Sequence, residues 1–289
     1  MEFEKWQALG NDYLIVEGSA LSFELTPARL RRLCEAHFGV GADGVLLVDR
    51  SSAEGVAGTL RIFNPDGSEA ELSGNGAREA ALYMRRRGWS RAERFSIDTR
   101  AGRVEPEFTA AGTCRMAIGT AQLQSKDYPG GPPDGRGELV VGGERLAFQH
   151  VSIGNPQCSI HVPGEGALAS LDLPDIGPPI EASELFPNRT NVSWYAEVAP
   201  DRLRARIFER GVGETLSSGT GASGAAVAHV LRTGGGARRV SVLLDGGELE
   251  VEVGEGREIH LTGWAVPVFA GSLSEELCDE LKELSHETK

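Results

Sequence analysis

Cysteine, basic charge and long apolar runs are what this chain has least of. Its 289 residues include four cysteines, Cys34, Cys114, Cys158 and Cys278. None forms a C-x-x-C pair and the spacings are irregular, which argues against a disulfide framework or a zinc site and for free thiols in a reducing compartment. Lysine and arginine number 29 against 42 aspartates and glutamates, a formal charge of −13. Such an acidic chain is ill suited to a phosphate backbone, so nucleic acid is set aside. No apolar run reaches the roughly 18 residues a membrane helix needs, and Met1–Trp6 has no basic then apolar leader. A cytoplasmic protein with no membrane association is expected. No histidine–carboxylate cluster suggests a metal.

Glycine, by contrast, is abundant, at 38 residues. Part of the reason is a repeat. Residues 61–81 read RIFNPDGSEAELSGNGAREAA and residues 206–226 read RIFERGVGETLSSGTGASGAA. At a constant offset of 145, half the chain length, 10 of the 21 pairs are identical without a gap. Two homologous halves each carry one copy of the same element.

Each copy reads as a strand end, a turn-bearing loop and a helix. Ser73-Gly74-Asn75-Gly76 opens one helix, with good helix formers from Ala77 to Arg87, and Ser218-Gly219-Thr220-Gly221 opens the other. A helix start presents unpaired N–H groups and the positive end of the helix dipole, and glycine lets a ligand approach them. Two such starts suggest an anionic ligand held between them; the plain alternative is a pair of serine N-caps. Elsewhere, Leu14–Val16, Val45–Val48, Leu139–Val141 and Val240–Leu244 read as strands, Pro27–Phe38 and Ser274–Leu284 as helices, and 129–137 as an exposed turn-rich loop.

Two other motifs compete. Gly39, Gly41 and Gly44 match G-x-G-x-x-G but follow a helix and precede a strand, the reverse of a dinucleotide site. Gly219, Gly221 and Gly224 open a helix, with Asp245 downstream, but five residues (211–215) part them from their strand where a dinucleotide turn is tight. An NAD-dependent oxidoreductase is therefore the remote alternative. Ser73 and Ser218 do not lie in G-x-S-x-G, so acyl transfer is weakly supported.

The ordered segments ALGNDY (8–13), GVGADG (39–44), FNPDGS (63–68), SGNGAR (73–78), GNP (154–156), Asn191-Val192, ERGVGET (209–215) and GTG (219–221) together resemble the diaminopimelate epimerase family over nearly the whole chain. The resemblance implies an α/β (α+β) fold of two pseudo-symmetric domains, each a sheet or barrel wrapped around a central helix. Residues 1–118 with 267–289 would form the N-terminal half, the last strand near Val266–Phe269 returning to it, and 119–266 the C-terminal half. It implies an isomerase that needs no cofactor, epimerising LL- and meso-diaminopimelate in lysine and peptidoglycan biosynthesis by two-base proton transfer at the α-carbon. By resemblance, the catalytic positions are Ser73 and Ser218. Gly74, Asn75, Gly219, Thr220 and Asn11 would hold the reacting carboxylate, and Asn64, Asn155, Asn191 and Arg210, with Glu209 nearby, the far amino-acid end. The partner is a small amino acid; the sequence leaves the oligomeric state open, a homodimer included.

The sequence departs from that family in chemistry. Family members carry cysteine at both helix-opening positions, where this chain has Ser73 and Ser218, and histidine where it has Gln157. A thiol can be brought to a working thiolate at a helix start, whereas a serine hydroxyl needs its own base. No base is evident beside either serine in the sequence. Three explanations stay open: an engineered cysteine-to-serine variant, a divergent member acting as racemase or dehydratase on another amino acid, and an amino-acid-binding protein without turnover. Gln157 favours natural divergence.

Overall fold

The computed structural model describes residues 1–71, 73–110 and 112–284; residues 285–289, assigned above to the N-terminal half, lie outside them. The chain divides into two compact units, Met1–Met116 with Trp264–Lys289, and Ala117–Gly263.

The first unit contains β1 (Glu2–Ala8), β2 (Asn11–Glu17), α1 (Pro27–Cys34), β3 (Val45–Arg50), β4 (Val56–Phe63), β5 (Glu69–Ala70), α2 (Gly74–Arg86), β6 (Ser96–Thr99), β7 (Gly102–Val104) and β8 (Glu107–Ala110). Strand β9 (Thr113–Thr120) leads into the second unit, which contains β10 (Arg136–Val141), β11 (Glu144–Ser152), β12 (Pro156–His161), α3 (Glu165–Ala169), α4 (Leu173–Glu181), β13 (Asn191–Ala199), β14 (Arg202–Glu209), β15 (Gly213–Thr215), α5 (Gly219–Arg232), β16 (Arg238–Leu244), β17 (Gly247–Val253) and β18 (Glu258–Trp264). Strand β19 (Val266–Ser272) and α6 (Glu275–Glu283) close the chain. Strand β19 pairs antiparallel with β1, setting Glu2 against Ser272 and Lys5 against Phe269.

The two sheets share one plan. The first runs β19-β1-β2-β3-β4-β6-β7 and the second contains the run β10-β11-β12-β13-β14-β16-β17-β18. Parallel pairs fall at matching places, β2 with β3 and β4 with β6, then β12 with β13 and β14 with β16. Helix α2 packs on β1, β2, β3 and β4, and α5 on β11, β12, β13, β14, β16 and β17. Each unit thus wraps its sheet around one central helix, and both helices are buried along most of their length, α5 through Ala222, Ala225, Ala226, Val227 and Val230. A helix so enclosed needs apolar or small residues on all sides, which is why its glycines and alanines carry little amphipathic pattern.

The repeat survives as geometry. Ile62 faces Ala70 and Phe63 faces Glu69 across β4–β5, while Ile207 faces Thr215 and Phe208 faces Glu214 across β14–β15. Arg61 bonds Glu69 at 2.9 Å and Arg206 bonds Glu214 at 2.6 Å, the same pair displaced by 145. The cores are separate in character: Leu14, Val16, Leu30, Val45 and Phe63 cluster in the first unit, and Tyr128, Phe148, Phe186, Trp194 and Phe208 in the second.

One expected element is shorter than its sequence suggests. The helix expected over Pro27–Phe38 ends at Cys34, because Glu35 turns to φ −67°, ψ 130°. Its carboxylate then accepts the N–H groups of His37 and Phe38, and Leu33 O accepts those of Val40 and Gly41. A Cβ at Gly39 would sit 2.1 Å from Arg32 O, and one at Gly44 2.3 Å from Phe63 O. Close backbone packing explains two glycines of the first G-x-G-x-x-G motif.

Candidate active site

In the first unit, Ser73 is the N-cap of α2, and its Oγ accepts the Gly76 N–H at 3.1 Å. Its φ of −129° and ψ of 125° are extended, as a capping residue requires. The Tyr13 hydroxyl, on β2, donates to the same Oγ at 3.4 Å. One residue into the helix, Asn75 Nδ2 donates to Asn11 Oδ1 at 3.2 Å, and Arg78 Nη2 donates to Asn75 Oδ1 at 2.5 Å. Asn11 Nδ2 in turn donates to Asp43 Oδ2 at 2.8 Å. The β1–β2 turn that presents Asn11 holds Leu9 at φ 55°, a conformation a branched side chain adopts only under strain; its complete burial holds it there. Asn64 bonds only within its own turn among these partners, donating to Ser68 Oγ at 2.9 Å.

In the second unit, Ser218 caps α5 with φ −145° and ψ 120°, accepting the Gly221 N–H at 3.2 Å. Beside it, burial raises the Glu209 carboxyl above its ordinary range, and the neighbouring Ser218 hydroxyl acts in the opposite direction more weakly. The turn from β14 into β15 is closed by Val212 N–H to Glu209 O, and Glu209 precedes Ser218 by nine residues in the sequence.

Around that pair, Asn155 Nδ2 donates to Thr220 Oγ1 at 3.2 Å, and Gln157 Nε2 holds Asn155 Oδ1 at 2.8 Å. Asn191 Nδ2 donates to Pro156 O at 3.1 Å and its Oδ1 accepts the Arg210 backbone N–H at 2.8 Å. The exposed Arg210 side chain donates to Asn188 O at 2.8 Å. The structure thus joins Asn155, Thr220, Asn191, Glu209, Arg210, Ser218 and Gly219 in one unit, and Asn11, Ser73, Gly74 and Asn75 in the other. Asn64 lies at the end of β4, at the position that the offset of 145 matches to Glu209.

The supporting residues Tyr13, Asp43, Arg78 and Gln157 were not assigned to the site from the sequence. Each had left a signal there: Tyr13, Asp43 and Arg78 lie within the family-like segments 8–13, 39–44 and 73–78, and Gln157 directly follows Gly154-Asn155-Pro156. Three of the four cysteines are not substitutes for the missing thiols: burial pushes Cys34 and Cys114 up to about 12 and raises Cys158 as well, away from thiolate chemistry. The dinucleotide reading also loses its glycines. A Cβ at Gly221 would lie 2.4 Å from Ile207 Cδ1 and one at Gly224 3.0 Å from Gln157 Cβ, so helix–sheet packing requires them, and Asp245 is ion-paired with Arg204.

Fold and site define a class: a duplicated α+β protein with a serine hydroxyl capping the central helix of each unit. Solved structures share that fold. A Bacillus anthracis phenazine biosynthesis protein superposes with a TM-score of 0.67 at 19% identity, covering 95% of this chain and 99% of that one. A hydroxyproline epimerase from Agrobacterium vitis, with trans-4-hydroxy-L-proline bound, gives 0.63 at 13% identity, covering 94% and 91%. The family is narrower. The diaminopimelate epimerase family profile matches residues 3–124 and 149–268. The diaminopimelate epimerase of Pelotomaculum thermopropionicum is 40% identical over 280 residues, 94% of this chain and 98% of that one, and that of Desulforudis audaxviator is 41% identical over the same shares. This chain belongs to the diaminopimelate epimerase family.

Proposed function

We propose that this protein epimerises diaminopimelate at its α-carbon, in the biosynthesis of lysine and peptidoglycan, without a cofactor. The observation that carries the reading is a family match spanning both halves, with a serine capping the central helix of each unit. Inversion needs one group to take the α-proton and another to return a proton on the opposite face, which is the chemical reason for two half-sites. A carboxyl raised by burial is better matched to a neutral operating pH than an ordinary one, and general acid–base catalysis is most efficient at such a match.

In this reading Glu209 is the base that makes Ser218 workable where the family has a thiol. The helix starts at Gly74–Asn75 and Gly219–Thr220 offer backbone N–H groups to the substrate carboxylate, where charge grows as the proton leaves. Asn11 orients that end, and the guanidinium of Arg210, with Asn64, Asn155 and Asn191, serves the distal amino acid group by charge-assisted hydrogen bonds. The natural partner is this small amino acid. A homodimer completes the reading: β19 is an edge strand that leaves Val266, Val268 and Phe269 exposed, a surface suited to a second copy. A cytoplasmic location fits the pathway, and no described helix is long and apolar enough to cross a membrane.

Deuterium wash-in at the α-carbon of diaminopimelate, followed by NMR in D2O, tests the activity. Incorporation is expected; none at saturating substrate would sink the reading. A Ser73→Cys, Ser218→Cys double variant is expected to exchange faster than the parent. A second reading, racemisation of or elimination from another amino acid, draws on the absence of a carboxylate among the described hydrogen-bond partners of Ser73. Calorimetry with diaminopimelate, histidine and hydroxyproline separates the two.

A further inference from the structure

Arg210 is the second residue of a four-residue turn, Glu209 to Val212, closed by Val212 N–H to Glu209 O at 3.0 Å. Gly211, the third, takes φ 76°, which a side chain would resist. Such a turn pairs its last N–H and leaves its two inner ones to find acceptors outside. Here side chains take both. Asn191 Oδ1 accepts the Arg210 N–H at 2.8 Å, and Glu181 Oε1 accepts the Gly211 N–H at 2.7 Å. Asn191 was assigned to the site from the sequence; Glu181 was not.

Glu181 is the last residue of α4 and is 3% exposed. Burying a carboxylate is costly unless its oxygens are bonded, so its place needs a reason. Its Oε1 also meets Arg189 Nη2 at 2.9 Å, and its backbone O accepts the Thr190 N–H at 3.2 Å. Arg189 holds φ 60°, a left-handed conformation that a residue with a side chain adopts at a cost. The preceding residue, Asn188, accepts from Arg210 Nη1 through its backbone O at 2.8 Å, and its Nδ2 donates to Asp127 Oδ1 at 2.8 Å. One buried oxygen thus ties the loop that carries Arg210 to the loop that steers its guanidinium. The Arg210 side chain stays exposed, and its other guanidinium nitrogens bond no described residue.

We propose that Glu181 is a positioning residue for the distal end of the substrate. By accepting the Gly211 N–H and pairing with Arg189, it sets the Arg210 guanidinium where it can hold a second carboxylate, and so sets the preference for amino acids that carry one. This rests on the reading of Arg210 given above and adds the residue that orients it. The ligand class is a diamino dicarboxylic acid; lysine is the matching diamine without the second carboxylate. Glu181 touches neither ligand, so its loss should erode the choice between them and spare the amino-acid end they share.

Calorimetry with diaminopimelate, and its displacement by excess lysine, reads that choice as a ratio of affinities. Wild type should favour diaminopimelate. Arg210→Gln should shrink the ratio by about ten- to a hundredfold, the worth of a hydrogen bond to a charged group. Glu181→Met, of similar volume but without an acceptor, should shrink it by about tenfold with lysine affinity unchanged. Glu181→Gln keeps an acceptor for Gly211 and gives up the ion pair with Arg189, so the ratio should fall by about threefold; it carries the test alone if Glu181→Met does not fold. In an Arg210→Gln background Glu181→Gln should lower the ratio no further, because two changes that act through one group do not add. Glu181 variants that keep the wild-type ratio, that weaken both ligands equally, or that still lower the ratio without Arg210 overturn the proposal and leave the epimerase reading standing. A wild-type protein that binds the two ligands alike, or neither, overturns the reading of Arg210 and the proposal with it.

Discussion

The two copies of the repeated element agree in backbone and differ in chemistry. Both serines cap their helices through the third following N–H, at 3.1 and 3.2 Å, and both flanking hairpins carry the same Arg–Glu pair. Yet the offset of 145 sets Asn64, directly after β4 in the first unit, against Glu209, the last residue of β14 in the second. The amide turns into its own loop and bonds Ser68, whereas burial raises the Glu209 carboxyl above its ordinary range. Duplication preserved the scaffold, because strand register and helix cap are set by backbone hydrogen bonds. One side chain at the matched position gives the second half an ionisable group where the first has an amide.

The buried ionisable groups differ between the units as well, and with opposite sign. In the first unit Glu79 on α2 is fully buried with neither carboxyl oxygen hydrogen-bonded, and burial raises its carboxyl well above the ordinary range, with Asp12 and Asp43 adding to the effect. In the second unit His150 is fully buried among aromatic rings, and burial lowers it to about 4. One unit resists losing a proton and the other resists gaining one.

The sharpest break in the comparison is Glu209→Gln. It makes the second strand end resemble Asn64, and exchange at the α-carbon should fall by roughly 10²–10⁴ with substrate affinity retained. Equal rates before and after would show that Ser218 needs no carboxylate. In the intact protein, Glu209 must be ionised to act as base, and its carboxyl is raised, so the acid limb of the rate profile should lie above the ordinary carboxylate range. Ser218→Ala removes the hydroxyl that opposes the rise, and whatever exchange remains should show that limb moved to higher pH.

Next comes acid stability. A histidine lowered from 6.5 to about 4 binds its proton more readily when unfolded, so its contribution is present above about 6.5 and lost as pH falls toward 4. The loss at the bottom of that window is at most about 3 kcal/mol. Denaturant unfolding at several pH values should show a shallower acid decline for His150→Gln; an unchanged slope would remove His150 from the account. The first unit should respond the other way. A carboxyl raised in the folded state stabilises while protonated, and that contribution fades as pH rises through its folded value. Glu79→Met, which removes two unpartnered buried oxygens at similar volume, should gain about 1–3 kcal/mol, more at alkaline pH. A loss of stability in thermal unfolding would mean that Glu79 has a partner it needs.

The smallest effect separates the two Arg–Glu pairs. Arg61 is the more exposed and bonds Glu69 alone among these contacts, whereas Arg206 also donates to Leu168 O and Leu171 O. Double-mutant cycles should give less than about 1 kcal/mol for each ion pair. Arg206→Ala by itself should cost more than Arg61→Ala, by about 1 kcal/mol for the carbonyls left behind. Equal costs would show that the backbone bonds of Arg206 are energetically idle.

Much of the scaffold was written in local pattern. The ungapped repeat announced two halves, Ser73 and Ser218 announced two helix starts, and runs such as Val45–Val48 announced buried strands, because capping and strand burial depend on residues a few positions apart. The ordered family segments added the candidate site. Helix α1 was read four residues too long, since its end depends on how Glu35 and Gly39 meet the preceding turn. Tertiary structure alone decided the neighbours of the capping serines. Tyr13 is 60 residues from Ser73, yet its hydroxyl bonds it, and the β14–β15 turn stands between Glu209 and the helix that Ser218 opens. A side chain's acidity and hydrogen-bond partners depend on what folding packs around it, and that is fixed by contacts that sequence order does not contain.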